Sequence, residues 1–239
     1  PHPAPIAVSC STMLWRFMVI LLASITVALT AAAQPAKGKH VVALSFGNSL
    51  DSNLWQADML RNSHNHVFTQ QDTLWLDCAD GVTVWLKKSL PHSYIISFDR
   101  GFPTDTSGTN YRLSDVNLFW QASPTDSGNS SGKLEGYDRW QLYYAGIGGN
   151  YNSTTRFRKY DGSGNRLLLQ EYTQPNYLLQ PNTVYHCTLL VEPPLTQLWV
   201  NDQLWFSYTD AQPLRHGLFG IRSTKSHQWI TNFNIWLPK

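Results

Sequence analysis

Arg156 and Arg158 stand two residues apart in the run Thr154-Thr-Arg-Phe-Arg-Lys-Tyr160, which reads as a β-strand. Side chains alternate across a strand, so both arginines and Tyr160 share one face, with the arginines about 7 Å apart. A planar guanidinium pairs with a carboxylate through two parallel N–H groups, so this spacing suits an acidic ligand. Asn117, Gln121 and Asn152 are amides that can share the load, and Tyr143, Tyr144, Tyr160 and His227 can give or accept protons. These residue types match the three needs of β-elimination at a uronate sugar. The carboxylate must be neutralised so that the neighbouring C–H becomes acidic, a base must take that proton, and an acid must protonate the leaving oxygen. The expected proton-transfer residues are Tyr143, Tyr144 and His227. The expected substrate-binding residues are Asn117, Trp120, Gln121, Asn152, Arg156, Arg158 and Tyr160. The plainer alternatives are a solvated strand face for the arginines, a structural histidine at His227, and core packing for whichever of Tyr143 and Tyr144 points inward.

Two other chemistries compete. Hydrolysis of a glycoside uses a pair of carboxylates, but Glu135, Glu171 and Glu192 are scattered and no Glu-x-Asp-x-x-Glu spacing occurs. Asp115 is the best-placed acid, and it begins a strand, where it could equally satisfy a turn. A carbohydrate-binding module without catalysis would use exposed aromatics and amides, with Trp120, Trp140, Tyr143 and Tyr144 as its rings. No Cys-x-x-Cys or His-x-x-x-His spacing suggests a structural metal, and no Asp-rich loop fixes the structural calcium that such β folds often carry. No cofactor is otherwise implied.

The elements that must position these residues are short β-rich runs punctuated by Gly, Asn, Asp and Pro. Strands are expected at 41–46, 73–78, 82–87, 92–98, 115–122, 140–145, 154–160, 166–172, 183–191, 197–200, 204–208, 217–222 and 228–236. Ala79-Asp80-Gly81 is expected to be a hairpin turn, as is Asn201-Asp202. In the strand from Asp115, the set Asp115, Asn117, Phe119 and Gln121 opposes Val116, Leu118, Trp120 and Ala122. The Ser/Gly-rich stretch 123–132 reads as one surface loop. No window shows sustained helical periodicity, so the fold class is an all-β sandwich in a single domain over 39–239.

Ten Trp, eleven Tyr and ten Phe make the chain aromatic-rich, while charged residues are only 14% of it, well below an ordinary globular share. Lys plus Arg total 18 against 16 Asp plus Glu, which leaves no basic footprint for nucleic acid. Residues 14–33 are almost wholly apolar and end in Ala31-Ala32-Ala33 before Gln34, the pattern of a cleaved signal peptide. The expectation is a non-native leader at 1–12, a signal peptide at 13–33, and a secreted or periplasmic monomer with no membrane attachment after cleavage. Cys78 and Cys187 each fall within an expected strand. Export permits a disulfide between them, and two separate buried thiols fit equally well.

Several runs together resemble a known family: Asp115-Val-Asn-Leu-Phe-Trp120, Tyr137-Asp138, Leu142-Tyr-Tyr-Ala-Gly-Ile-Gly-Gly-Asn150, Thr154-Thr-Arg-Phe-Arg-Lys-Tyr-Asp-Gly162, Leu198-Trp-Val-Asn-Asp-Gln-Leu204, and Gly217-Leu-Phe-Gly-Ile-Arg222 with Ser226-His227. The chain resembles the bacterial secreted domain-of-unknown-function family 6250 across most of 41–236. That resemblance implies a concanavalin A-like jelly roll of two antiparallel sheets and a polysaccharide or oligosaccharide partner. It implies no particular reaction. More distantly, Tyr143-Tyr144-Ala-Gly is similar to the tyrosine-bearing strand of jelly-roll polysaccharide lyases. The leading expectation is therefore a lyase-like enzyme acting on an acidic glycan, followed by a binding module and then a glycoside hydrolase.

Overall fold

In the computed structural model the described residues are 32–61, 64–88, 90–103, 110, 112–113, 115–124 and 131–239. Chain contacts divide the sequence into Pro1–Ala32 and Ala33–Lys239, and the second unit is the one described here. The expected leader, almost all of the expected signal peptide and much of the expected 123–132 loop lie outside the described residues. No helix among the described residues is long and apolar enough to cross a membrane.

Among the described residues, thirteen antiparallel strands follow in chain order: β1 (Lys37–Ala43), β2 (Trp55–Met59), β3 (Asn65–Gln70), β4 (Thr73–Leu86), β5 (Tyr94–Gly101), β6 (Val116–Ser123), β7 (Gln141–Gly148), β8 (Thr154–Asp161), β9 (Arg166–Tyr172), β10 (Val184–Glu192), β11 (Leu195–Val200), β12 (Gln203–Thr209) and β13 (Leu218–Pro238). Hydrogen bonding links them all, because β4 and β13 curl from one layer of the sandwich into the other. The first half of β13 pairs with β6 and with the end of β4, giving the layer β9-β8-β7-β6-β13-β4-β2. The second half pairs with β5 and with the start of β4, giving the layer β12-β11-β10-β5-β13-β4-β3, with β1 against the end of β13. The result is an all-β, concanavalin A-like jelly-roll sandwich.

The strand readings change at the bends. Ala79-Asp80-Gly81 is not a hairpin turn. It lies inside β4, where Gly81 faces Thr224 and Cys78 faces Ser226, so Ala79 and Asp80 together oppose Lys225. Lys225 has φ +51, and this bulge bends β13 where two strands were expected at 217–222 and 228–236. β2 and β3 were not anticipated. In β6 the alternation breaks at Gln121, whose φ is +48. Beyond it Ala122 joins Phe119 on the outer side of the sheet, instead of joining Trp120 in the core.

The main core lies between the layers and includes Val116, Leu118, Trp120, Tyr143, Ala145 and Phe157 from the first, with Ile96, Phe98, Cys187, Leu189, Ile230 and Phe233 from the second. Cys78 and Cys187 are both free and buried, so the two-thiol alternative holds. A smaller cluster covers part of the outer face of the first layer: Trp85, Phe119, Ala122, Tyr137, Trp140, Leu142, Tyr144 and Tyr160. Leu134–Tyr137, a short 3-10 turn, brings Tyr137 down onto Trp85, with ring centroids 5.5 Å apart.

Candidate functional site: an arginine-lined groove on the first layer

Strand register builds the site. Arg222 of β13 stands opposite Asn117 of β6, Asn117 opposite Gly146 of β7, and Gly146 opposite Arg156 of β8. The next row outward-facing on the same strands is Phe119, Tyr144 and Arg158. At about 4.8 Å per strand, Arg222 and Arg156 mark ends of a row some 14 Å long with the amide between them. Arg112, Asp115, Asn150 and Thr154, with Leu134 and Gly149, also line this groove, a cavity of about 150 Å³. Among the described residues, four guanidinium groups therefore face one carboxylate.

Each polar group is held differently. Tyr144 donates its hydroxyl to Asn117 Oδ1 at 3.0 Å. Its phenol is pushed above the ordinary range, first by burial and then by the charge of Asp115. Asn117 is 1% exposed, and its Nδ2 has no hydrogen-bond partner among the described residues. The buried Oγ1 of Thr154 and Nε of Arg112 are in the same condition. Arg156 Nε bonds Glu171 Oε1 at 2.7 Å, and with Asn150 turned oxygen-first its terminal nitrogens lie 3.0 and 3.2 Å from that amide oxygen. Arg158 makes no side-chain hydrogen bond or ion pair among the described residues. Arg112 lies 3.9 Å from Asp115, and Arg222 Nε donates to the Gly132 carbonyl at 3.3 Å. Unpartnered donors in a buried, cationic recess are groups that an anionic oxygen would satisfy.

Glycine and a buried cation make the geometry possible. A Cβ on Gly146 would come 2.1 Å from the Tyr144 hydroxyl, so only glycine leaves room for the phenol on the groove floor. Beneath the floor Arg100 is fully buried. It donates to Gln228 Oε1 at 2.6 Å, to the Arg222 carbonyl at 3.0 Å, and to the carbonyls of Asn117 and Asp115 at 3.4 Å each. Burial pushes its pKa down to about 9, against the pull of Cys187, Cys78 and Asp115. Three of its acceptors belong to residues that line the groove, so Arg100 sets their backbone positions.

The structure thus brings together Asn117, Tyr144, Arg156 and Arg158, and places the remaining expected site residues elsewhere. Tyr143 points into the core between the layers, where its hydroxyl donates to Asp210 Oδ2 at 2.5 Å. Trp120 is 1% exposed, packed 5.7 Å from Tyr143 and 5.4 Å from Phe157. Trp140 is 4% exposed and stacks on Trp85 at 5.2 Å. Neither indole is open to a sugar. Gln121 is buried at the β6 bulge and does not line the cavity. Asn152 spends its amide on Leu179, accepting from its N–H and donating to its carbonyl, both at 2.8 Å. Tyr160 is buried 6.0 Å from Tyr144, beneath Arg166. His227 lies beyond the β13 bulge, 3.4 Å from Asp77 and 5.2 Å from the Trp75 ring, and does not line the groove. Sequence reasoning missed Arg112, Arg222, Thr154, Gly146 and Arg100. The Gly220-Ile-Arg222 spacing put Arg222 on one face with a glycine, which was the one local signal for it. Among the described residues no three His, Cys, Asp or Glu side chains gather where a metal ion could sit.

A family model described as "Domain of unknown function (DUF6250)" matches residues 76–233, which contain every residue of this lining. The chain belongs to the DUF6250 family. Solved structures share the architecture of this DUF6250 member at low identity. A Bacillus subtilis protein of unknown function with a galectin-like fold aligns with a TM-score of 0.67 and 13% identity, covering 86% of this chain and 100% of its own. The catalytic domain of an endo-1,3-beta-glucanase (laminarinase) from Thermotoga petrophila RKU-1 gives 0.56 and 10%, covering 85% and 100%. The carbohydrate binding module CBM66 from Bacillus subtilis gives 0.54 and 13%, covering 77% and 97%. At such identities the likeness speaks for the fold alone. A search of curated proteins returns no match.

Proposed function

We propose that this chain is a secreted carbohydrate-active protein whose groove binds a uronate-containing glycan. The observation that carries the reading is the convergence of Arg112, Arg156, Arg158 and Arg222 on a recess whose floor holds Asn117 Nδ2, unpartnered among the described residues. A sugar carboxylate there would accept from guanidinium and amide together, in a site of about 150 Å³ that suits a single sugar unit. A carbohydrate-binding module and a laminarinase share this fold, which agrees with a glycan partner.

Elimination is the second reading, and it rests on Tyr144. A phenol whose pKa is raised stays protonated at neutral pH, so it could protonate a leaving oxygen but is a poor base. The other proton-exchanging group in the lining is Asp115, which is close to Arg112. Recognition therefore has stronger support than turnover. Hydrolysis by paired carboxylates has the least, since Asp115 is the one carboxylate in the lining among the described residues.

The test is calorimetric titration of the mature protein with polyuronates and with neutral glycans, run beside an assay for unsaturated uronate products and new reducing ends. Saturable binding of polyuronates only, without product, supports recognition. Product formation that is lost in Tyr144→Phe would install the lyase reading. Equal binding of neutral glycans would overturn the acidic-ligand proposal. Export belongs to the same reading, and sequencing of the secreted chain should then begin near Gln34.

A further inference from the structure

The residue that follows Asn150 is exposed in a way the rest of the site is not. Tyr151 is 78% exposed, the highest value among the exposed large hydrophobic residues described. It stands in a turn between β7 and β8 where Asn150, Tyr151 and Asn152 have φ of +51, +60 and +58. Three successive non-glycine residues in the left-handed region are strained, and such a turn persists only where its surroundings hold it. They do so here: Asn152 is bonded twice to Leu179, Ser153 Oγ donates to the Asn150 carbonyl at 2.7 Å, and the Asn150 amide faces Arg156. The outcome is an aromatic ring held in solvent at the rim of a cationic groove. Arg112, which lines that groove, lies over the Tyr151 ring at 4.1 Å. One guanidinium thus separates the ring from the recess.

We infer that Tyr151 is a stacking subsite for the sugar ring that continues a glycan out of the arginine-lined groove. This rests on the reading of the groove as a uronate site. The cavity, at about 150 Å³, is half the lower bound of roughly 300 Å³ for ordinary ligand pockets, so it accommodates a single acidic unit and leaves further units outside. The rim is where they must lie. A flat ring with one side against Arg112 offers the other to the C–H face of a sugar. Arg112, between ring and recess, can donate to the carboxylate of the second unit, so the sugar ring on Tyr151 is that of a third. The ligand class is accordingly an oligouronate of more than two units.

The experiment uses galacturonate and mannuronate oligomers of two and of five units, titrated against the mature chain and against Tyr151→Ala, Tyr151→Phe and Arg158→Ala. The wild type should bind the pentamer more tightly than the dimer. Tyr151→Ala should weaken pentamer binding about fivefold to tenfold, the scale of an aromatic contact, and leave the dimer unchanged. Tyr151→Phe should restore the pentamer, and Arg158→Ala should weaken both oligomers. Unchanged pentamer affinity in Tyr151→Ala, with Arg158→Ala still impaired, would overturn the subsite and leave the groove standing. Absence of binding by the wild type to either series would overturn the groove reading, and the subsite with it. Thermal melts confirm that the variants are folded.

Discussion

Arg156 and Arg158 share a strand face, yet their surroundings predict unequal losses on truncation. Arg158 has no protein partner among the described residues, so Arg158→Ala should leave stability within about 0.5 kcal/mol of wild type. The same change should weaken oligouronate binding by roughly 1.5–3 kcal/mol, the scale of a hydrogen bond to a charged group. Arg156 already shares its guanidinium with Glu171 and Asn150, and Arg156→Ala should cost less in affinity. Titration calorimetry on the two variants checks the order, and an equal or reversed ranking would remove Arg158 as the principal anchor. Tyr144→Phe takes the donor away from Asn117 Oδ1 when Asn117 Nδ2 is already unpartnered. It should destabilise the domain by about 1–3 kcal/mol, read from chemical denaturation. The arginine pair was legible because period-two spacing is a local property. Arg112 and Arg222 were not, since only strand register brings them to Asn117 and no local pattern reports register between distant strands. Tyr143 and Tyr144 show the same limit: alternation requires them to face opposite ways, but it does not say which one looks into the core.

The strands carry their own consequences. Gly146 lies between Asn117 and Arg156 in one cross-strand row, and a methyl group there would strike the Tyr144 hydroxyl. Gly146→Ala should displace the phenol, cost about 1–3 kcal/mol in stability and reduce ligand affinity more than Tyr144→Phe does, because it also raises the groove floor. Retained affinity in a folded Gly146→Ala protein would show that the floor is not part of the site. On the other side of β7, Asp210 receives Tyr143 and Lys159, at 2.5 and 2.6 Å, and so ties the segment after β12 to β7 and β8. Burial works to raise the Asp210 pKa, but the hydrogen bonds from Lys159 and Tyr143 prevail and hold it below 3.8. A carboxylate lowered on folding contributes stability above its unfolded pKa and loses it as pH falls through the folded value. Asp210→Asn should therefore destabilise the protein at pH 7, with the gap from wild type narrowing below about pH 4. A gap independent of pH would mean that the carboxylate's charge is not what holds the clamp. Strand positions were mostly readable from β-rich runs between turn residues. The failures fall at bulges: Ala79-Asp80-Gly81 has the composition of a turn, and Lys225 interrupts a pattern that continues through it. A bulge and a hairpin use the same residues, and only the partner strand distinguishes them.

At the scale of the whole molecule, charge is nearly balanced, with 18 Lys plus Arg against 16 Asp plus Glu. The groove is not balanced: among the described residues, four arginines line it against Asp115. The domain as a whole therefore has little long-range pull on a polyanion, and attraction depends on a local field inside a recess. The sandwich itself was evident from the short β-rich runs between turn residues and the lack of helical periodicity. The placing of its charge was not, because it depends on which sheet face each cationic strand position meets. Arg100 illustrates this, since a single arginine in a strand gives no sign that it will be buried under a groove and bonded to three of its carbonyls. A local field makes a definite prediction about salt. The screening length falls from about 10 Å at 0.1 M to about 3 Å at 1 M ionic strength. A chain over the middle of the row lies about 7 Å from the guanidinium at either end, within the screening length at 0.1 M and beyond it at 1 M. Raising salt over this range should slow association of an oligouronate several-fold, since steering depends on the summed field. Dissociation should change little, because contacts made within the recess are shielded from solvent ions. Surface plasmon resonance separates the two rates. A carboxyl-reduced form of the same oligomer should show neither the binding nor the salt effect. If the reduced oligomer bound as well as the acid, or if salt altered only dissociation, recognition would depend on the sugar rings and hydroxyls, and Tyr151 would replace the arginines as the residue to study.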